Sequence, residues 1–402
     1  MKSRWLLFIF LLSILITVSA SCSTPASNET LRTAEQGDAS AQFKLGVMYG
    51  KGDDVPQDYT QSAIWFRKAA EQGNALAQGA LGAAYREGKG VPQDYAQAAE
   101  WLRKAAEQGH PSAQADLGKL YLQGNGVPED FTQSAKWLRN AAERGNVEAE
   151  FNLGVMYEKG VGVPQDYTEA ATWYRKAAEQ GDPQAQLNLA LLYGRGEGVP
   201  RDPVQAAEWL RKAAERGDAK AQFSLGVMYE KGISVQQDLT RAAELYRRSA
   251  EQGFSDAQFN LGVMYFVGKG MPQDYTQAAT LFHKAAKQGD PQAQNNLAMM
   301  YLAGKGVPQN SRLAAVWFFR AAEQGDPGAQ LSLGYLYRQG VGVQQDLVQA
   351  YTWFNLAAVK GNKDALTNRD ELIRTMTPAQ LDEGRRFSDE WQATFARRQR
   401  IK

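Results

Sequence analysis

The side chains best suited to chemistry are few in this chain of 402 residues: two histidines, His110 and His283, and one cysteine, Cys22. Three such groups cannot assemble a closed His/Cys metal cage, and a lone cysteine forms no internal disulfide. No Ser-x-x-Lys, Gly-x-Ser-x-Gly or His-Glu-x-x-His pattern supplies an activated serine or a zinc-bound water. Carboxylates are plentiful, but they recur as single Asp residues ahead of helix-like stretches, where capping accounts for them. Gly-x-Gly pieces such as Gly160–Gly162 imitate a phosphate loop, yet they follow helices and recur along the chain, so they read as turns. Lys+Arg number 45 against 44 Asp+Glu, a formal charge of +1, which leaves no basic footprint for a nucleic acid. The expectation is no enzyme, no cofactor and no metal.

What positions these residues is repetition. Gly37, Gly73, Gly109, Gly145, Gly181, Gly217, Gly253, Gly289, Gly325 and Gly361 recur every 36 residues without an insertion. They delimit nine copies, at 38–73, 74–109, 110–145, 146–181, 182–217, 218–253, 254–289, 290–325 and 326–361. Each copy reads as two helices. In copy 1, helix A runs from about Ala39 to Gly50 behind Asp38, an N-cap residue, with Ala41, Leu45 and Tyr49 on one face. His110 takes the cap place in copy 3. The glycine-rich stretch 52–56 breaks the helix, Asp58 restarts it, and Gln61 is expected to complete a capping box. Helix B carries Ala63, Trp65, Phe66, Ala69 and Ala70 and stops at Gly73; His283 falls at an exposed place on helix B of copy 7. Gly46 and Ala41 are expected to face Ala63 and Ala70, letting the two axes approach closely. The fold class is therefore all-α, and because one hairpin buries too little to fold alone, stability must come from stacking.

Copy 4 shows the unit nearly whole: Ala149, Leu153-Gly154-Val155-Met156-Tyr157, Gly160, Gly162-Val163-Pro164-Gln165-Asp166-Tyr167, Trp173 and Ala177-Ala178-Glu179-Gln180-Gly181. It closely resembles the Sel1-like repeat, a relative of the tetratricopeptide repeat with a longer interhelix loop, and the resemblance runs from Asp38 to Gly361. The resemblance implies a right-handed α-solenoid of helix-turn-helix repeats whose usual task is to hold partner proteins together. Departures are few: Ser234, Val235, Gln236 and Gln237 in the copy 6 loop, Leu245 and Leu281 at the Trp place, Ala190 and Ala298 at the helix-A glycine, and Asn310 at the cap. Family members stapled by cysteine pairs, some reported as β-lactamases, are not the model, because those cysteines are absent.

The ends read differently. Lys2 and Arg4 precede an uncharged apolar run over residues 5–18, and Val18-Ser19-Ala20 fits signal-peptide cleavage, so 1–20 is expected to be an export signal. The alternative is lipid attachment at Cys22, ahead of a Ser/Thr/Pro tether over 21–30; the aliphatic residue wanted three places earlier is Ser19. Either route implies an exported protein of the periplasm or outer membrane, or a secreted one, with the membrane touched only through that anchor. Residues 31–37 read as a partial helix capping the array, and 362–402 as C-terminal capping helices, the last opened by Thr377-Pro378.

Binding needs only a shaped surface. On helix A, two rows point away from the Leu45/Tyr49 face toward the wall expected to be concave. They carry Phe151, Leu187, Phe223 and Phe259, and Val155, Val227, Val263 and Met299; a polar row beside them holds Asn152, Asn188, Asn260 and Asn296. The apolar rows suggest a groove for a protein or peptide, and the amides can donate to and accept from a peptide backbone. Packing between neighbouring helices A is the competing account of the same rows. The expected function is a non-catalytic scaffold of the cell envelope. A host-protein (immunoglobulin-type) binding factor and a cell-wall or β-lactam hydrolase are the alternatives.

Overall fold

The computed structural model describes residues 25–401. Among them are 21 helices and no strand. The helices sort into two compact units that divide between Asp202 and Pro203. Within each unit, helices A and B pair as hairpins and each hairpin packs on the next, so the chain is an α-solenoid of helix-turn-helix repeats. The first helix runs Pro25–Glu35. It therefore takes in residues assigned above to the tether, because Pro at the first helical position is compatible with a helix start. The export signal, Cys22 and the start of the tether lie outside the described residues.

Local capping explains where helices begin and end. Asp38 accepts from Ala41 N–H, and Asn74, Asn146, Asp182, Asp218, Asp290 and Asp326 cap their helices in the same way. Only Phe254 fills this place with no side-chain cap among the helices so described. Helix A of copy 1, Ala39–Lys51, ends at Gly52 in the left-handed region, whose N–H returns to Met48 O. The expected capping box is only half present. Asp58 accepts from Thr60 and Gln61 N–H, but its own N–H donates across the loop to Tyr49 O at 2.9 Å. That bond recurs in all nine copies, from Asp58 to Asp346. Gln57 closes the same loop by donating to Gly50 O at 2.9 Å. A reciprocal box forms at the C-terminal cap, where Thr377 and Gln380 exchange bonds at the start of Pro378–Ile401. That helix lies over copy 9: Ser388 accepts from Asn355 at 2.8 Å, and Trp391 meets Trp353 edge-on at 6.3 Å.

Three contacts join successive hairpins. The second loop glycine, Gly90 or Gly162, has positive φ, and a Cβ there would collide with the backbone of Tyr59 or Phe131 in the preceding copy. Asp54 and Ser234 adopt the same left-handed conformation, at φ 60° and 58°, without being glycine. A buried glutamine then crosslinks three helices. Gln78 donates to Ala70 O of the preceding helix B at 3.1 Å and accepts from Gln108 of its own helix B at 2.7 Å. Finally, Arg103 and Arg175 on helix B donate to the hydroxyls of Tyr121 and Tyr193 on the next helix A, at 3.2 and 2.8 Å.

Inside a hairpin, Gly46 does not face Ala63 and Ala70. A Cβ there would come within 2.5 Å of the Phe66 ring, and Gly154 and Gly226 stand likewise beneath Tyr174 and Tyr246. The missing side chain makes room for a ring and also for the facing backbone, whose Ser62 O lies 3.2 Å from where a Cβ would sit. In copy 8 Ala298 takes the glycine place and is itself fully buried above Phe318 in the same core.

Copy 4 departs from the glutamine pattern. Glu150, only 3 % exposed, accepts from Gln180 at 2.8 Å but has no N–H for the Ala142 carbonyl that the pattern would serve. Burial raises its pKa above 4.5, against the lowering effect of the Gln180 bond. The folded state thus holds the proton more tightly than the unfolded chain, so the carboxylate penalises folding at neutral pH and the penalty fades as pH falls. Glu150→Gln should raise stability at pH 7 by about 1–2 kcal/mol. Urea denaturation should show that gain shrinking toward acid pH; a gain independent of pH would remove the carboxylate as its source. Ser234→Gly should add about 1 kcal/mol by relieving the left-handed backbone, and Gly162→Ala should cost more than that. Thermal melts of the two variants give the comparison.

Candidate partner-binding face

In the first unit, helix A of copy 4 (Val147–Lys159) carries Phe151, Asn152 and Val155, all half-buried. The Phe151 ring leans on Tyr174 of its own helix B at 5.9 Å, so one edge belongs to the core and the other stays outside. Leu187 departs from expectation: it is 2 % exposed and offers no surface. Its helix buries Ala185, Gln186 and Leu187 in succession, a wider sealed face than in copy 4. Asn188 beside it remains half-buried.

In the second unit the pattern repeats on its own helices. Phe223 lies between Tyr246 at 5.6 Å and Phe254 at 5.3 Å, and Phe259 leans on Phe282 at 5.8 Å. Val227 and Val263, one turn further on, are half-buried against the same core. Asn260 and Asn296 are half-buried, and Met299 is the most open member at 49 %. The rows are thus shared between packing and surface, each ring presenting an edge rather than a face.

A polar pairing beneath the rows escaped sequence reasoning. The fully buried Tyr174 donates its hydroxyl to Glu158 at 2.5 Å, and Tyr246 donates to Glu230 at 2.7 Å. Asn188 and Asn260 lie against these two hydroxyls. Burial first, and the adjacent carboxylate second, push both phenols well above their ordinary range, so they remain protonated donors. The signal was legible: the only copies with Tyr at this helix-B place are the only ones with Glu sixteen residues earlier. Two of the four amides expected to face a peptide are therefore engaged beside tyrosine hydroxyls.

An apolar hollow on this face opens on the same rows, through Val47 and Ala83, but outside the copies singled out above. Between copies 1 and 2, Val47, Gly50, Phe66, Ala80, Ala83 and Ala84 line a cavity of about 300 Å³. Lys51, Glu87 and Lys89 stand at its margin. Phe66 is only half-buried, whereas Phe282, Phe318 and Phe354 at the equivalent place are sealed. The reason is the run of small residues on helix A of copy 2 (Ala75–Glu87), which supplies nothing long enough to cover the ring.

The histidines are structural. His110 accepts from Ala113 N–H through Nδ1 at 3.2 Å, as a helix cap, and burial lowers its pKa. His283 is half-buried rather than exposed, edge-on to Trp317 at 5.9 Å, and its pKa is lowered by burial and then by Lys287. Among the described residues no group of three His, Cys, Asp or Glu side chains is placed to hold a metal. No described helix is long and apolar enough to cross a membrane.

The Tyr–Glu pairs should behave as coupled units. Tyr174→Phe is expected to cost about 1–2 kcal/mol by leaving the carboxylate without its donor, and less once Glu158→Gln is present. A double-mutant cycle by denaturation measures the coupling; additive losses would mean that the bond contributes nothing of its own.

Comparison with known proteins accords with this geometry. The family model described as the Sel1 repeat matches nine consecutive segments, 39–74, 75–110, 111–146, 147–182, 183–218, 219–254, 255–290, 291–326 and 327–362. A Sel1 repeat protein from Oxalobacter formigenes is 37% identical, covering 77% of this chain and 89% of its own, with a TM-score of 0.59. The protein c5321, a protective antigen present in uropathogenic Escherichia coli strains with an SLR fold, is 35% identical over 94% of this chain and 97% of its own, with a TM-score of 0.45. No curated protein matches the chain. With nine matched copies and a fold built from their stacked hairpins, the chain belongs to the Sel1 repeat family.

Proposed function

We propose that the protein is a non-catalytic scaffold that binds a partner protein or peptide along its helix-A face. Stacked repeats of this fold are typically interaction scaffolds, and no catalytic family is indicated. The observation that carries the reading is the apolar hollow over Phe66, with Lys51, Glu87 and Lys89 around it. An apolar core inside a polar margin is the arrangement in which a few anchoring side chains of a partner supply most of the affinity. The half-exposed edges of Phe151, Phe223 and Phe259 and the open Met299 extend the same chemistry to further copies. Leu187 has no part in it. Asn152 and Asn296 are the amides left to meet a peptide backbone, since Asn188 and Asn260 lie against tyrosines.

The apolar run over residues 5–18 behind Lys2 and Arg4 supports export, so the partner is sought in the envelope or outside the cell. Cys22 is the proposed attachment point if a lipid holds the protein at the membrane.

A photo-crosslinking residue placed at Val47 or Val263, in cells that make the protein, should capture a discrete polypeptide. The same residue at Glu100, on helix B, should not. Val47→Asp should weaken that capture by about tenfold or more. Equal capture from Glu100 would move the binding surface off helix A. Palmitate labelling that disappears in Cys22→Ser would establish the anchor, and unchanged labelling would exclude it.

A further inference from the structure

Copy 6 breaks the repeat on helix B, Leu239–Glu251. Trp65, Trp101, Trp137, Trp173 and Trp209 hold one place in copies 1 to 5; Leu245 holds it here. In copies 1, 2, 4 and 5 the lysine one turn on lies over the indole, Lys176 at 3.9 Å from Trp173 and Lys212 at 3.9 Å from Trp209. Arg248, with no ring beneath it, pairs with Glu244 at 2.5 Å, as Lys104 pairs with Glu100 in copy 2 while also lying over Trp101. A second exchange accompanies the first. Elsewhere the helix-B arginine of one copy donates to the tyrosine hydroxyl of the next, as Arg175 does to Tyr193. Here Arg241, which stands where most copies have Gln, takes the Tyr229 hydroxyl at 3.2 Å and lies over its ring at 5.1 Å. Arg211 is left without a side-chain hydrogen bond or ion pair among the described residues.

Between these side chains opens a cavity of about 490 Å³. Its floor is apolar, Ala214, Leu225, Leu245 and the buried Tyr229. The matching residues Ala70 and Leu81 belong to the cluster that Trp101 packs against in copy 2, so the floor corresponds to the seat of an absent indole. Its walls hold three guanidiniums, Arg211, Arg241 and Arg248, against two carboxylates, Glu215 and Glu244, the second already paired with Arg248. We propose that this cavity binds an aromatic carboxylate: a flat ring takes the vacated indole seat under Arg248, and the carboxylate pairs with Arg211. A guanidinium stacks on a ring face and meets a carboxylate through two parallel N–H bonds, so the walls suit both halves of such a ligand. The cavity falls in the size range of small-ligand sites. It uses the helix-B side of the copy and stands independently of a partner on helix A. The ligand comes either as a free aromatic acid or as the C-terminal aromatic residue of a polypeptide.

The test is calorimetric titration of the full chain with indole-3-propionate. Saturable binding is expected, with tryptamine, the same ring bearing an ammonium, at least about tenfold weaker. Leu245→Trp should reduce binding by about tenfold or more because the protein then fills its own seat, with no fall in melting temperature. Arg211→Gln should lose a similar factor, and it decides the matter should the tryptophan variant fold poorly. A peptide ending in tryptophan, compared with its C-terminal amide, separates the sources. Tighter binding of the free-acid peptide than of indole-3-propionate assigns the site to a polypeptide terminus, and the reverse assigns it to a small acid. Absence of binding, equal binding of tryptamine, or undiminished binding by the variants would overturn the proposal.

Discussion

A buried side-chain amide ties one hairpin to the next. The last carbonyls of a helix have no partner within it, and stacking another hairpin on that end removes water as an acceptor's alternative. Gln42, Gln78, Gln258 and Gln294 meet the need by donating to Ala34, Ala70, Ala250 and Ala286 of the preceding helix. Each of these amides also accepts from the end of its own helix B, so a single side chain sets the distance between three helices. A residue inserted in a helix between Ala70 and Gln78, or between Gln78 and Gln108, would shift one partner and leave that end of the amide unmade, at about 1–3 kcal/mol. The unbroken 36-residue spacing follows from that constraint. Where Arg144 or Lys360 replaces the glutamine donor, the oxygens of Gln114 and Gln330 are buried without a partner. Lys360 instead donates to Gly325 O at 2.6 Å.

The helix starts, the helix stops and the period were legible because their causes are local. An Asp or Asn before helix B and a glycine after helix A act within four residues, and each signal repeats nine times. What sequence reading misplaced were contacts across copies or across the hairpin. Gly46 was paired with small residues, whereas it lies beneath the Phe66 ring, because helical periodicity says which face a residue takes but not which side chain arrives opposite. The Asp58 N–H was assigned to Gln61, whereas the loop brings Tyr49 O within reach first. Trp137 reads like the other tryptophans yet is only half-buried, unlike Trp173 at 6 %. Most residues of the helix-A rows are half-buried, a degree that periodicity does not give, since it does not distinguish a ring half-sunk in the core from one standing free.

The closure of the stack also determines where information about a ligand can reside. Positions that carry the same residue in nearly every copy are occupied with internal work: the cap Asp, the loop glycines, the bridging glutamine and the tyrosine whose carbonyl closes the loop. They cannot tell one region of the chain from another. Distinction has to come from positions the stack leaves undetermined, and it appears there as correlated departures. Small residues at Ala80, Ala83 and Ala84 uncover Phe66. Tyr174 comes with Glu158, and Tyr246 with Glu230. Leu245 comes with Arg241, and the exchange releases Arg211. A single departure in a repeat is explained by drift as readily as by use. A pair that fits together sterically and electrostatically, such as a missing indole with a displaced guanidinium beside its empty seat, leaves a cavity of defined chemistry, and the cost of lost packing then needs a ligand or a compensating contact to offset it.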